Sequence, residues 1–400
     1  MPSAGTPRTS RLRTEMREEE TVTPLELFFD LVFVLALTQC TAFMASDPTW
    51  RGLAKALLIL GVLWWSWVGY AWLTSVVNPE EGTVRIAIFV AMAAFLVVAL
   101  CIPEAFDEAA LLFAVAYGVV RVAHIALFTL ASRDDPGLRR SVIGLGTGTA
   151  LGVGLLVGAS FTDGYLQGCL WLLALTIDAG TPYVFGAEGW KLMPTHFAER
   201  HGLIVIIALG ESIVAIGVGA EIGVDAGVVA LAILGIAVAA ALWWMYFDVV
   251  AIVAERRLAG AAEGKEQNEI ARDSYSYLHL PMVAGIVLIA LGLKKSLGDV
   301  GEPLKLVPAT ALMGGGALYL LAHVAFRLRN VRSLSTRRLA CAVVLVILIP
   351  LTVRIPALAT VGLLAALLVG VIVYEALRYS EFRDRIRHQF GHGGAAPDSP

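Results

Sequence analysis

The sequence predicts an all-α, polytopic membrane protein of about twelve transmembrane helices, and three observations predict it. The chain is 58% hydrophobic and 16% charged, whereas a soluble domain is nearer half apolar and a quarter charged. Its apolar residues fall in blocks long enough to cross a bilayer, at about 20 residues per helix. Its Lys and Arg residues gather in alternate connections between those blocks, as the topology of membrane helices requires. The formal net charge of -3 decides little beside that distribution.

Taken in order, the predicted spans are 24–46, 53–77, 83–102, 107–131, 140–160 and 164–182, then 200–220, 226–254, 275–295, 306–327, 338–354 and 356–378. Tight polar turns are predicted at Asp47-Pro48, Pro103-Glu104 and Thr162-Asp163-Gly164. The span 140–160 is rich in glycine, from Gly144 to Gly154. That spacing suits close helix packing; a phosphate loop needs a preceding strand and a lysine, which are missing. Arg354 and Pro356 divide the last two spans, and the longest hydrophilic loop is 255–274. Residues 1–23 read as a disordered cytoplasmic N-terminus without a cleavable signal. The chain then divides into a first six-helix unit (24–182), a cytoplasmic linker (183–199), a second unit (200–378) and a cytoplasmic tail (379–400). The four cysteines, Cys40, Cys101, Cys169 and Cys341, all lie in apolar runs and read as small core residues.

With twelve spans, one side of the membrane holds 23 Lys and Arg and the other holds 6. The bias places both termini in the cytoplasm. The two halves also echo each other in order. Phe28-Phe29-Asp30-Leu31-Val32-Phe33 aligns with Leu209-Gly210-Glu211-Ser212-Ile213-Val214, and Leu63-Trp64-Trp65 with Leu242-Trp243-Trp244. Ala123-His124 aligns with Ala322-His323, and Asp178 with Glu375. An even number of helices per unit makes such repeats parallel, related by an axis along the membrane normal.

The ionisable residues inside the spans are the functional candidates, since a charge in a membrane helix costs at least roughly 2.5 kcal/mol. Glu26 and Asp30 are four residues apart and share a face of the first span. Glu211 takes the matching place in the second half. Arg121 and His124 share a face of the fourth span, and Arg121 needs a carboxylate, with Asp30, Glu211 and Asp178 as candidates. These residues are readable as an ion or proton path, or as ion pairs that hold helices in register. The Trp64-Trp65-Ser66-Trp67 run, with Trp243 and Trp244 as its counterparts, reads as a gate or as interfacial packing. His196, Glu199 and His201 do not have the spacing of a zinc helix motif. No nucleophile–base or metal constellation emerges, so neither an enzyme nor a cofactor is expected. Nucleic acid is not an expected partner; the lipid bilayer is, and self-association in a homo-oligomer is compatible with the pattern.

Two strings resemble the bacterial low temperature requirement protein A family: Leu25-Glu26-Leu27-Phe28-Phe29-Asp30-Leu31-Val32-Phe33-Val34, and Glu199-Arg200-His201-Gly202-Leu203 continuing to Gly210-Glu211-Ser212. The resemblance runs from about residue 20 to 380 and implies an integral membrane protein without specifying an activity. The stretch around Asp30 is also similar to the F-S-D-x-x-F motif of lysosomal and bacterial potassium channels that carry it on a pore-lining first helix. Phe29 stands in place of their serine. The expectation is therefore a channel or transporter for an ion or small solute, with proton coupling as one form of it. A non-transporting scaffold or sensor is the alternative.

Overall fold

The computed structural model describes residues 21–186, 189–219, 223 and 225–378. The N-terminal tail up to residue 20 and the C-terminal tail from 379 lie outside the described residues. Fourteen α-helices occur among the described residues, with no strand. The first six are α1 Pro24–Ser46, α2 Trp50–Thr74, α3 Gly82–Cys101, α4 Ala110–Ala131, α5 Pro136–Ala159 and α6 Gly164–Val184. Then follow α7 Pro194–Gly219, α8 Ala226–Phe247, α9 Val250–Ala259 and α10 Lys265–Ile270. The last four are α11 His279–Gly298, α12 Leu306–Val331, α13 Thr336–Thr352 and α14 Ala357–Arg378.

Ten helices are long and apolar enough to cross a membrane. Large apolar side chains such as Ile86, Val122, Ile233 and Ile347 point outward and are more than half exposed, as hydrocarbon on the far side allows. The protein is a multi-pass membrane protein. Two of the twelve predicted spans, now α6 and α13, are helical but fall outside those ten. Gln167, Asp178 and Pro182 dilute α6, and α13 is 17 residues long.

The helix ends follow their sequence. Thr23 caps α1, Pro24 opens it, and Glu26 returns the bond to the Thr23 N–H at 2.8 Å, a complete capping box. Residues 21–23, predicted as part of the disordered tail, are thereby placed. Asp135 caps α5 through the Gly137 and Leu138 N–H groups. Those groups and the Lys191 ammonium hold its carboxyl below the usual range.

The predicted hydrophilic loop 255–274 is corrected by the structure. Most of it is helix: α8 breaks at Asp248, α9 continues as an amphipathic helix of nearly three turns carrying Arg256 and Arg257, and α10 leads into a π-helical segment, Ala271–Tyr277. Ala254, Leu258, Asn268, Ser274 and Tyr275 are buried. Charged and polar residues interspersed with Ala254, Leu258 and Tyr275 hide an amphipathic helix from a reading based on hydropathy alone.

Packing repeats along the chain. In the first half α1 packs on α2 and α3, α3 on α4, α4 on α5, α5 on α6 and α2 on α6. In the second, α7 packs on α8 and α11, α11 on α12, α12 on α13, α13 on α14 and α8 on α14. The halves meet where α1 and α2 touch α7 and α11. The glycines of α5 pack as expected, with Gly144 against Phe185 and Gly152 against Ala174 and Asp178. Cys40, Cys101 and Cys341 are buried, but Cys169 is exposed on the outer face of α6.

Candidate functional site

A buried charge cluster lies on the seam between the halves. Glu26 and Asp30 sit one turn apart on α1, and His196 and Arg200 sit one turn apart on α7. Arg200 donates to Glu26 Oε1 at 3.1 Å through Nη1 and to Asp30 Oδ1 at 2.7 Å through Nη2. His196 Nε2 donates to the same Glu26 oxygen at 2.8 Å, while its Nδ1 lies 3.0 Å from Ser75 Oγ. Trp67 Nε1 donates to Asp30 Oδ1 at 2.8 Å. The other Glu26 oxygen belongs to the capping box of Thr23. Each of these four ionisable groups is at most 2% exposed. Two carboxylates thus enclose one guanidinium in a low-dielectric seam, where their attraction is strong and a lost partner is expensive.

Sequence reasoning missed Arg200 and weighed His196 only against a zinc motif. Glu199, beside them, lies outside the cluster and accepts the Val22 N–H at 3.0 Å. The missed signal was spacing: His196 and Arg200 are four apart, as Glu26 and Asp30 are, so each pair makes one helix face. His201, the next residue, bonds Phe197 O through Nδ1 at 2.8 Å and packs between Trp67, Tyr275 and His279.

Asp30 and Glu211 do not sit at matching depth, a correction to their alignment. Contacts along the seam run from Asp30–Arg200 to Thr38–Glu211, where Thr38 Oγ1 donates at 2.5 Å. The two helices therefore run in the same direction. Glu211 is level with Thr38, eight residues and about 12 Å beyond Asp30 at about 1.5 Å per residue.

Arg121 selects Asp178 from its three candidate partners, at 2.9 Å. Thr149 joins the pair, and Tyr117 OH donates to Asp178 Oδ2 at 3.3 Å. The second half holds a parallel arrangement. Arg338 forms a two-pronged pair with Glu375, at 3.1 and 2.9 Å, and donates to His323 Nδ1 at 3.1 Å. His124 and His323 thus stand beside equivalent pairs, but the arginine comes from α4 in one half and α13 in the other. The tryptophans diverge as well. Trp64, Trp65 and Trp67 are buried, and Trp64 Nε1 donates to Ser276 O in the π segment at 2.7 Å. Trp243 and Trp244 are 45% and 40% exposed and lie on the outer surface of the bundle.

Together the apolar helices and their buried ion pairs define a class, a multi-pass helical membrane protein with charges inside its bundle. The family described as bacterial low temperature requirement A protein (LtrA) matches residues 21–373. The chain belongs to that family. It is 31% identical over 322 residues to an uncharacterized protein, RA0937, of Rhizobium meliloti (strain 1021), covering 77% of this chain and 78% of that one. No solved structure matches it significantly.

Proposed function

We propose that the protein carries an ion or small solute across the bacterial inner membrane, through twelve spans arranged as two parallel six-helix repeats with both termini in the cytoplasm. No catalytic step is assigned to it. The recurrence of the same six packing pairs in both halves supports the repeat, and the 23-to-6 division of Lys and Arg supports the orientation. Cysteines introduced at Asp107 and at Lys265 should therefore label from opposite sides of the membrane. Labelling from one side would overturn the topology.

The observation that carries transport is the seam cluster. The halves meet at α1 and α7 through ion pairs and hydrogen bonds whose strength depends on the charge carried by each member. The cluster also has a proton count to vary. Glu26 and Asp30 carry two negative charges against one on Arg200, so one added proton makes the group neutral. His196 is placed to hold it: its Nε2–H faces Glu26 in either state, and its Nδ1 accepts from Ser75 when neutral or donates to it when charged. A side chain that changes charge without losing a hydrogen bond suits proton coupling.

The test is flux in proteoliposomes against a panel of ions, protons and small solutes. The Arg200→Gln, Asp30→Asn double variant removes one charge of each sign and so leaves the net charge of the cluster unchanged. It is expected to fold and to lose flux. Full flux in that variant would remove the cluster from the mechanism. The scaffold or sensor reading draws support from the closed Arg121–Asp178 and Arg200–Asp30 pairs, and wild-type protein that moves nothing in the panel would favour it.

A further inference from the structure

A cavity of about 660 Å³ opens in the second half, where α8 gives way to α9, α12 ends and α13 begins. Glu375, near the end of α14, lines it as well. Three helix ends and one helix start therefore meet around one space at one end of the bundle. Sites for drug-sized ligands run to roughly 300–1,000 Å³, so the space exceeds what a single inorganic ion fills.

The polar part of the lining favours an anion. It carries three guanidiniums, Arg327, Arg337 and Arg338, against two carboxylates, Asp248 and Glu375, which leaves one positive charge in excess. Arg338 is committed to Glu375 through both prongs, at 3.1 and 2.9 Å. Arg327 is exposed, donates to Ser333 Oγ at 3.4 Å and makes no ion pair among the described residues. Arg337 is exposed too, with its guanidinium 4.6 Å from the centre of the Tyr374 ring. Stacking of that kind engages the face of a guanidinium, and its donors lie in the plane. No side chain caps α13, and its first residues, Ser335, Thr336 and Arg337, line the cavity. The dipole of that helix start adds to the attraction for negative charge.

The rest of the lining is apolar. Trp244, Val250, Phe326 and Leu334 belong to it. Trp244 and Leu334 are 40% and 50% exposed, so they carry apolar surface from the cavity to the outside of the bundle, where lipid lies. A soluble anion gains nothing from such a rim. A phospholipid has both parts: a phosphodiester for the guanidiniums, and a glycerol and acyl region for the apolar wall. One excess positive charge balances one phosphodiester when the rest of the headgroup is uncharged. A headgroup ammonium would leave the excess in place.

We propose that this cavity holds an anionic phospholipid, with its phosphate between Arg327 and Arg337 and its acyl end against Trp244 and Leu334. The site does not depend on the transport reading. Only its leaflet, the cytoplasmic one, where basic pockets between helices meet anionic headgroups, rests on the orientation above, which the cysteine labelling tests separately.

Native mass spectrometry of the full-length protein, titrated in detergent with dioleoyl phosphatidylglycerol or dioleoyl phosphatidylcholine, tests the site. One saturable phosphatidylglycerol adduct is expected, with phosphatidylcholine weaker by roughly tenfold or more. The Arg327→Gln, Arg337→Gln double variant should lose roughly tenfold or more in phosphatidylglycerol affinity, as on losing charge-assisted hydrogen bonds. The Arg139→Gln, Arg140→Gln variant removes two exposed arginines of α5, away from the cavity, and should bind as the wild type does. Thermal melts establish that each variant is folded. The preference of the wild type between the two lipids needs no variant, and so answers the case in which the cavity variant fails to fold. Equal affinity for the two lipids would overturn the proposal. So would equal losses in the two double variants. Displacement of phosphatidylglycerol by sodium phosphate would make this a site for a soluble anion and overturn it as well. No adduct on folded wild-type protein, as when the chain's own residues from 379 onward fill the space, would also remove it.

Discussion

Arg200→Gln is expected to destabilise the protein by about 3–5 kcal/mol, the usual cost of removing one partner from a buried ion pair. The reason is local. Glu26 and Asp30 are 2% and 1% exposed, so without the guanidinium two carboxylates remain on one helix face away from water. Trp67 still donates to Asp30 and His196 to Glu26, but neither tryptophan nor a neutral histidine brings charge. Arg200→Lys should recover only part of the loss, because one ammonium cannot repeat the two-pronged reach from Glu26 to Asp30. Adding Asp30→Asn to Arg200→Gln removes the second uncompensated charge and should restore most of the stability. Thermal and denaturant melts of the detergent-purified variants measure all three. An Arg200→Gln protein within about 0.5 kcal/mol of wild type, the range of ordinary surface changes, would show that the seam tolerates the bare carboxylates.

Gly285→Val is expected to be at least as disruptive as typical core overpacking, about 1–3 kcal/mol. A Cβ at Gly285 would stand 2.7 Å from Gly315 O and 2.9 Å from Tyr319 N. From the other side, a Cβ at Gly315 would stand 2.6 Å from Gly285 O. These are main-chain atoms, so α11 and α12 must move apart. Small residues that let backbones approach are the usual device for holding helices together where lipid supplies no hydrophobic drive. Gly210→Ala is the contrast. No atom stands within 4 Å of a Cβ there, and helix propensity favours alanine by roughly 0.5–1 kcal/mol. Melts of the two variants should move in opposite directions. A Gly285→Val protein as stable as wild type would mean that the contact between α11 and α12 yields cheaply.

The close approach of α11 and α12 also marks a limit of sequence reading. The glycines of α5 stand out because Gly144, Gly146, Gly148, Gly152 and Gly154 crowd into one helix. Gly285 is one of three widely spaced glycines in α11 and Gly315 the middle of the Gly314-Gly315-Gly316 run of α12; that these two meet is a pairwise fact which neither helix shows alone. The same limit holds at the site. Asp30 and Arg121 are visible as charges in apolar runs, and the need of Arg121 for a carboxylate follows from desolvation alone. Arg338 lies near a helix start among loop arginines, so nothing in its neighbourhood separates it from Arg337, yet one is 8% exposed and the other faces outward.

What the amino-acid sequence determined by itself is what depends on one helix at a time. Block length and hydropathy make this a multi-pass helical protein, and the four-residue spacing puts Glu26 and Asp30 on one face. The tertiary structure decided which faces meet. It joined Asp30 to Arg200, set Glu211 opposite Thr38, and buried Trp64 while leaving Trp243 at the surface. The physical reason is that hydropathy is a sum over local residues, whereas an ion pair depends on the rotation and depth of two helices together. Those two quantities are set by side-chain packing and backbone contacts between segments 170 residues apart, which no local pattern records.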